Sequence, residues 1–186
     1  MLRRFEQGHL DGLCGIYSII NALIHLLQTR SFTDEVARVL FRHLVDSVPK
    51  SNRADILLDG MDVFQLEKLC RHASKFMLQE CGLTIEVRRP FKDRRFRTVT
   101  DFLYEVSKIW AEHYSGVIIG IEWSQQEGHW SVLRGIERNR ILLADSDKIK
   151  SLSRRSLSVA SGERNRICPH ETIMFHLRAI DGEAIT

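Results

Sequence analysis

Residues 117–145 read VIIGIEWSQQEGHWSVLRGIERNRILLAD. Three apolar runs, Val117–Trp123, His129–Ile136 and Arg140–Asp145, are separated by the polar breakers Ser124-Gln-Gln-Glu-Gly128 and Glu137-Arg-Asn139. Runs of this length between turn-forming residues are strands, and connections this short join antiparallel neighbours. An antiparallel sheet is therefore expected over residues 117–180, with a last strand at Thr172–Ile180 and a long serine-rich, basic loop at Asp147–Arg166.

Upstream the hydrophobic period changes. Between Leu13 and Leu27, Ile16, Ile19, Ile20, Leu23, Leu26 and Leu27 recur at spacings of three and four, so a helix is expected over residues 13–28. A second helix is expected from Ser31, where Ser-Phe-Thr-Asp34 resembles a capping box, to the residues before Pro49. Lys50–Asp55 is polar and predicts a loop. A third helix runs from Asp59 through Met61, Phe64, Leu69 and Met77 to Gly82. Leu83, Ile85 and Val87 then alternate with polar residues as a strand, followed by a basic loop at Phe91–Arg97. Thr98 caps a further helix carrying Phe102, Leu103, Val106, Ile109 and Trp110, which Gly116 is expected to close. Helices first and an antiparallel sheet second is an α+β pattern, with N-terminal helices packed on a C-terminal sheet.

With 186 residues, 44% hydrophobic, 11 Gly, 3 Pro and 4 Cys, the chain is expected to form one domain over residues 1–186, and collagen, a long disordered tail and a disulfide scaffold are excluded. The net charge is +3 and the pI about 8.8, short of the basicity of a nucleic-acid binder, so no nucleic-acid partner is expected. No apolar run approaches the ~20 residues that span a bilayer, and no signal peptide is read at the N-terminus. The expected location is cytoplasmic and off the membrane, with export by a non-classical route left open. Cys14, Cys70, Cys81 and Cys168 form no CxxC pair, and Cys70 and His72 point to different helix faces, so neither a metal nor a cofactor is expected.

Chemistry gathers at Cys14. A thiol at the start of a helix meets unpaired N–H groups and the positive end of the helix dipole, both of which favour the nucleophilic thiolate. The neighbouring Gly15 would leave room for a substrate carbonyl. His129 opens one strand and Asp145 closes the next. A three-residue loop over Glu137-Arg-Asn139, with Asn139 suited to a left-handed position, would pair Ile136 with Arg140 and Ser131 with Asp145. His129 and Asp145 would then share a face, one diagonal step apart. A two-residue loop would turn the acid to the opposite face. An imidazole able to take the proton of Cys14, and a carboxylate to orient that imidazole, complete a nucleophile–base–acid set. Trp130 is expected in the core, with a part in shielding the His–Asp bond from water. Each residue alone has an ordinary reading, as a buried thiol, a loop histidine or a solvated strand end; their combination and order carry the argument.

Cys14-Gly at a helix head, followed by Gly128-His-Trp-Ser-Val-Leu133 and Leu143-Ala-Asp-Ser146, resembles the papain-like cysteine peptidases, above all their C39-like branch. The early cysteine in a chain of this size is also similar to Josephin-type deubiquitinases. The resemblance covers residues 7–27 and 117–147. It implies a papain-like fold with Cys14 as nucleophile, His129 as acid/base and Asp145 as orienting acid. It further implies Gln7 as the side-chain donor of the oxyanion hole, although Gln7 stands seven residues ahead of Cys14, one or two more than the family usually shows; His9 is a poorer donor. Asp11-Gly-Leu-Cys14 echoes the ovarian-tumour-type deubiquitinases, whose Asn is missing here.

The function implied is a cysteine peptidase or isopeptidase acting on a peptide or protein substrate, a ubiquitin-like conjugate among the candidates. An acyltransferase, deamidase or transglutaminase-like effector would use the same triad. A non-catalytic module gripping an anionic protein through Arg88–Arg97 or Lys148–Arg166 is the alternative of another class. The sequence defines no specificity pocket.

Overall fold

The computed structural model describes residues 4–6, 12–27, 32–112, 115–124, 127–160 and 165–178. Five α-helices and six strands are formed by these residues: α1 (Cys14–Leu27), α2 (Asp34–Ser47), α3 (Arg53–Asp59), α4 (Val63–Cys81), β1 (Ile85–Arg88), α5 (Val99–Glu112), β2 (Ser115–Ser124), β3 (Glu127–Ile136), β4 (Arg140–Leu143), β5 (Ser151–Ser153) and β6 (Arg166–Leu177). The strands form one sheet in the order β1-β6-β2-β3-β4-β5, with every neighbouring pair antiparallel. The architecture is α+β, as the order of periodicities predicts.

Alternation along β2 places the sheet between two apolar layers. Ile118 packs with α1, α2 and α4 on one face, while Val117, Ile119 and Ile121 pack with Phe102, Leu103 and Val106 of α5 on the other. A strand covered on both faces reads as a continuous apolar run, which explains VIIGI. The helix α1 is buried almost all round, and Ser18 Oγ donates to the Trp130 carbonyl of β3 at 2.8 Å. Among the described residues no helix is long and apolar enough to cross a membrane.

Several expected boundaries are corrected. The expected cap Ser31 lies outside the described residues; Thr33 caps α2, its Oγ1 accepting from Val36 N at 3.3 Å, because buried Phe32 precedes it in the staple position. Lys50–Asp55 is not a loop. A 3₁₀ turn at Lys50–Asn52 leads into α3, which Ile56 anchors to the core despite its polar surroundings. Gly60, at φ 86°, then breaks the chain, so the next helix begins not at Asp59 but behind Asp62, whose side chain and Gln65 form a reciprocal capping box. Gly116 lies in β2 rather than ending α5, at the point where α1 passes so close that a Cβ would stand 2.5 Å from the Ala22 carbonyl oxygen. The segment Asp147–Arg166 contains the edge strand β5 and a 3₁₀ turn, and β6 starts at Arg166, six residues earlier than its alternation suggests.

The β3–β4 hairpin is the consequential correction. Its loop is shorter than expected: Glu137 N donates to the Arg140 carbonyl at 2.9 Å, and Ile136 pairs with Ile141. Asn139 is not left-handed; among the described non-glycine residues only Lys148 (φ 69°) and Asn165 (φ 53°) are. By itself this turn would put Asp145 on the wrong face. A bulge at Arg134 intervenes, since Gly135 pairs with Leu142 but Leu133 with Leu143. One extra residue on β3 restores the register that a three-residue loop would have given. Ala144 N accordingly donates to the Val132 carbonyl at 2.9 Å.

Candidate active site

The structure brings Cys14, His129 and Asp145 together. Cys14 is the first residue of α1, so its N–H has no intrahelical partner. The helix start is held in place by the preceding turn, where Gly12 N donates to the Leu57 carbonyl at 2.6 Å. His129 lies two residues into β3, and Asp145 two residues past the end of β4, after the restored register. His129 Nε2 donates to Asp145 Oδ2 at 2.7 Å; with that edge engaged, Nδ1 is the nitrogen left to face Cys14, whose thiol lies beside the ring and 4.0 Å from the Gly12 carbonyl oxygen. Asp147 Oδ2 stands 3.8 Å from the same Nδ1.

Burial makes these contacts strong. Asp145 is 0% exposed, and Cys14 and His129 are each 7% exposed. Burial opposes the charged form of His129, but the hydrogen bonds to Asp145 and Cys14 and their charges outweigh it, and the ring is pushed up to about 10. Burial likewise pushes the Asp145 carboxyl up, and the His129 bond and charge overcome it, so the net displacement is below the ordinary aspartate value. Asp147 N donates to Asp145 Oδ1 at 2.8 Å, tying the acid into its own turn. The Ser131 hydroxyl lies near the same carboxylate without the geometry of a full hydrogen bond. The proton therefore resides on His129 at neutral pH, flanked by a carboxylate and a sulfur.

The other three thiols lie away from the His129–Asp145 pair. Burial pushes Cys70, Cys81 and Cys168 up, Cys168 to about 12 with the Glu171 charge adding to it. None of them is paired in a disulfide.

Of the supporting residues, Gly15 takes a different place from that expected. The space at Gly15 does not open to a substrate: a Cβ there would lie 2.6 Å from Met61 Sδ, so the glycine admits the loop ahead of α4. Trp130 lies in the core as expected and lines the cleft as well, its indole Nε1 donating to the Met61 carbonyl at 2.9 Å. The ring beside His129 is Trp123, with centroids 6.0 Å apart. Trp123 sits at a register shift between Glu122 and Ser124, so strand alternation alone does not announce it. Gln7 and His9 lie outside the described residues. Nearby, Phe5 N and its carbonyl bond the Asn21 side chain of α1 at 2.8 and 3.0 Å, and Glu6 pairs with Lys148 at 3.4 Å. Residues 4–6 thus lie between α1 and the turn that follows Asp145.

A cleft of about 410 Å³ opens on Cys14 and His129. Its remaining walls come from the Asp59–Asp62 loop, Gly120–Glu122 of β2, Gly128 and Trp130 of β3, and Cys168 and Glu171 of β6. Among the described residues no three His, Cys, Asp or Glu side chains are grouped to hold a metal ion. A thiol and an imidazole at the edge of a cleft, with a carboxylate buried behind the imidazole, are an arrangement able to support covalent acyl chemistry. No protein-family model matches the chain, and no curated protein matches it in sequence.

Proposed function

We propose that the chain is a papain-like cysteine hydrolase that cleaves a peptide or isopeptide amide bond through a thioester on Cys14. The observation that carries this reading is the buried His129–Asp145 bond of 2.7 Å beside a thiol at a helix start, with Cys14 and His129 both opening on one cleft. In this mechanism the Cys14 sulfur passes its proton to His129 and attacks the carbonyl carbon. The new oxyanion is held by the Cys14 N–H and by the Gln7 side-chain amide, each such donor worth ~2.7–4 kcal/mol. His129 gives its Nδ1 proton to the leaving amine as the C–N bond breaks. Water then loses a proton to His129 and attacks the thioester, and the thiolate departs. Asp145 keeps the ring in place throughout and stabilises its charge.

The test is an acid-quenched single turnover with peptide esters and amides, read by mass spectrometry. An acyl adduct on Cys14 that disappears on longer incubation supports the proposal. No adduct, or equal turnover by Cys14→Ser, overturns it.

A further inference from the structure

The wall of the cleft formed by β2 and β6 is irregular for a reason. Ile118 of β2 pairs with Ile173 of β6, but Gly120 pairs with Cys168, so β6 carries three extra residues over a stretch that includes Pro169, His170 and Glu171. Pro169 lacks the N–H that a regular ladder would need. The bulge is fastened from behind: the Arg89 guanidinium, itself 6% exposed, donates to the His170 carbonyl at 2.9 Å and pairs with Glu67 at 3.2 Å. Bulges of this kind re-aim a side chain. Here the Glu171 carboxylate is laid over Gly120, where any Cβ would collide with its Oε2.

Among the described residues no lysine or arginine forms an ion pair with that carboxylate. The Cys168 thiol lies beside it, and the exposed His170 ring stands 3.8 Å away. The neighbouring arginines are committed elsewhere, Arg166 to Glu122 at 2.9 Å and Arg89 to Glu67. Asp59, Asp62 and Glu122 line the same cleft, and among the described residues that line it there is no lysine or arginine, although the chain as a whole carries +3. Carboxylates outnumber cationic side chains along this described lining, and low-dielectric walls strengthen their attraction for a cation.

We propose that Glu171 is a specificity-determining residue, receiving the cationic side chain of a substrate lysine or arginine that lies beside the scissile bond. The inference rests on the cysteine-hydrolase reading and gives that reading a substrate class: basic peptide segments. A cation in the niche pairs a partly desolvated carboxylate, whereas an acidic or phosphorylated residue is repelled. Selectivity arises as much from exclusion as from attraction.

Two measurements on the whole chain separate this proposal from its premise. In the first, N-acetylated fluorogenic peptides differ at one position beside the cleaved bond, carrying lysine, norleucine or glutamate. Lysine is expected to exceed norleucine in kcat/KM by roughly tenfold or more, as a charged hydrogen bond supplies, with glutamate lowest. Glu171→Gln is expected to collapse the lysine-to-norleucine ratio toward one, while Glu105→Gln, on the outer face of α5, keeps it. Equal rates for lysine and norleucine, or an unchanged ratio in Glu171→Gln, overturn the proposal. So does a preference that appears only in non-acetylated peptides, since the cation recognised would then be the terminal amine.

The second measurement needs no turnover. Cys14 is modified with a cationic methanethiosulfonate bearing trimethylammonium and with an anionic one bearing sulfonate, each rate referred to 2-mercaptoethanol. The cationic reagent is expected to be favoured by roughly tenfold, and less so in Glu171→Gln. A favoured cationic reagent without peptide cleavage sinks the hydrolase reading alone; reagents of equal relative rate sink the cationic niche.

Discussion

Asp145 has surrendered all contact with solvent and holds its charge only because one oxygen faces His129 and the other the Asp147 N–H. Replacing it separates orientation from charge. Asp145→Asn keeps an oxygen for Nε2–H, whereas Asp145→Ala leaves a buried imidazole without a partner. Activity should fall by roughly tenfold in the first and a hundredfold or more in the second, measured as kcat/KM; equal and negligible losses would remove Asp145 from the site. The same pair makes stability depend on pH. His129 is raised from 6.5 to about 10, so its contribution is complete below pH 6.5 and is lost as pH climbs through about 10. Asp145 is lowered from 3.8, so its contribution is present above that pH and fades as pH falls beneath it. Urea unfolding of wild type and His129→Gln should therefore converge by at least ~1 kcal/mol between pH 6 and pH 10. A gap that stays constant would contradict the ion pair.

At the level of the element, the decisive feature is a single inserted residue. The two-residue turn and the bulge at Arg134 are two errors of register that cancel, and only together do they bring His129 and Asp145 to one face. Deleting Arg134 should leave the turn intact and rotate Asp145 away from the site. The expected result is a folded protein whose high His129 titration is lost, seen by NMR of the imidazole; an unchanged titration would show that the bulge does not set the site. Sequence reasoning found the final register but not the device that produces it. Turn residues announce a hairpin, while a bulge is decided by tertiary packing on both faces. The same limit applies to Trp123, Asp147 and Glu171, which meet the site through pairing and turns rather than motif spacing. Cys14, His129 and Asp145 were legible because each occupies the end of an element that periodicity defines. The helix caps show the local rules at work: Asp62 accepts from both Phe64 N and Gln65 N at 2.8 Å. Asp62→Ala should cost ~1 kcal/mol of stability and Asp62→Ser much less, by chemical denaturation; equal costs would mean that the cap is not what fastens this loop.

Across the whole molecule, the sheet joins two cores that alternate along β2. Leu23 of α1 and Phe102 of α5 are fully buried on opposite faces, with Ile118 and Ile119 back to back between them. Leu23→Ala and Phe102→Ala should each cost ~2–5 kcal/mol, and each should shift one common unfolding transition. Two separable transitions would contradict the shared sheet. The helix order was legible from its 3.6-residue period, but the split of α5 from the other helices was not, because a two-sided strand shows no polar face. The site stands where α1 meets the end of β3, and its central claim is that His129 activates Cys14. That claim is tested most directly by the rate of Cys14 alkylation by iodoacetamide at pH 6.5, located by mass spectrometry, in wild type and in His129→Ala. A fall of roughly tenfold or more is expected on losing the imidazole; an unchanged rate would show that His129 does not activate the thiol.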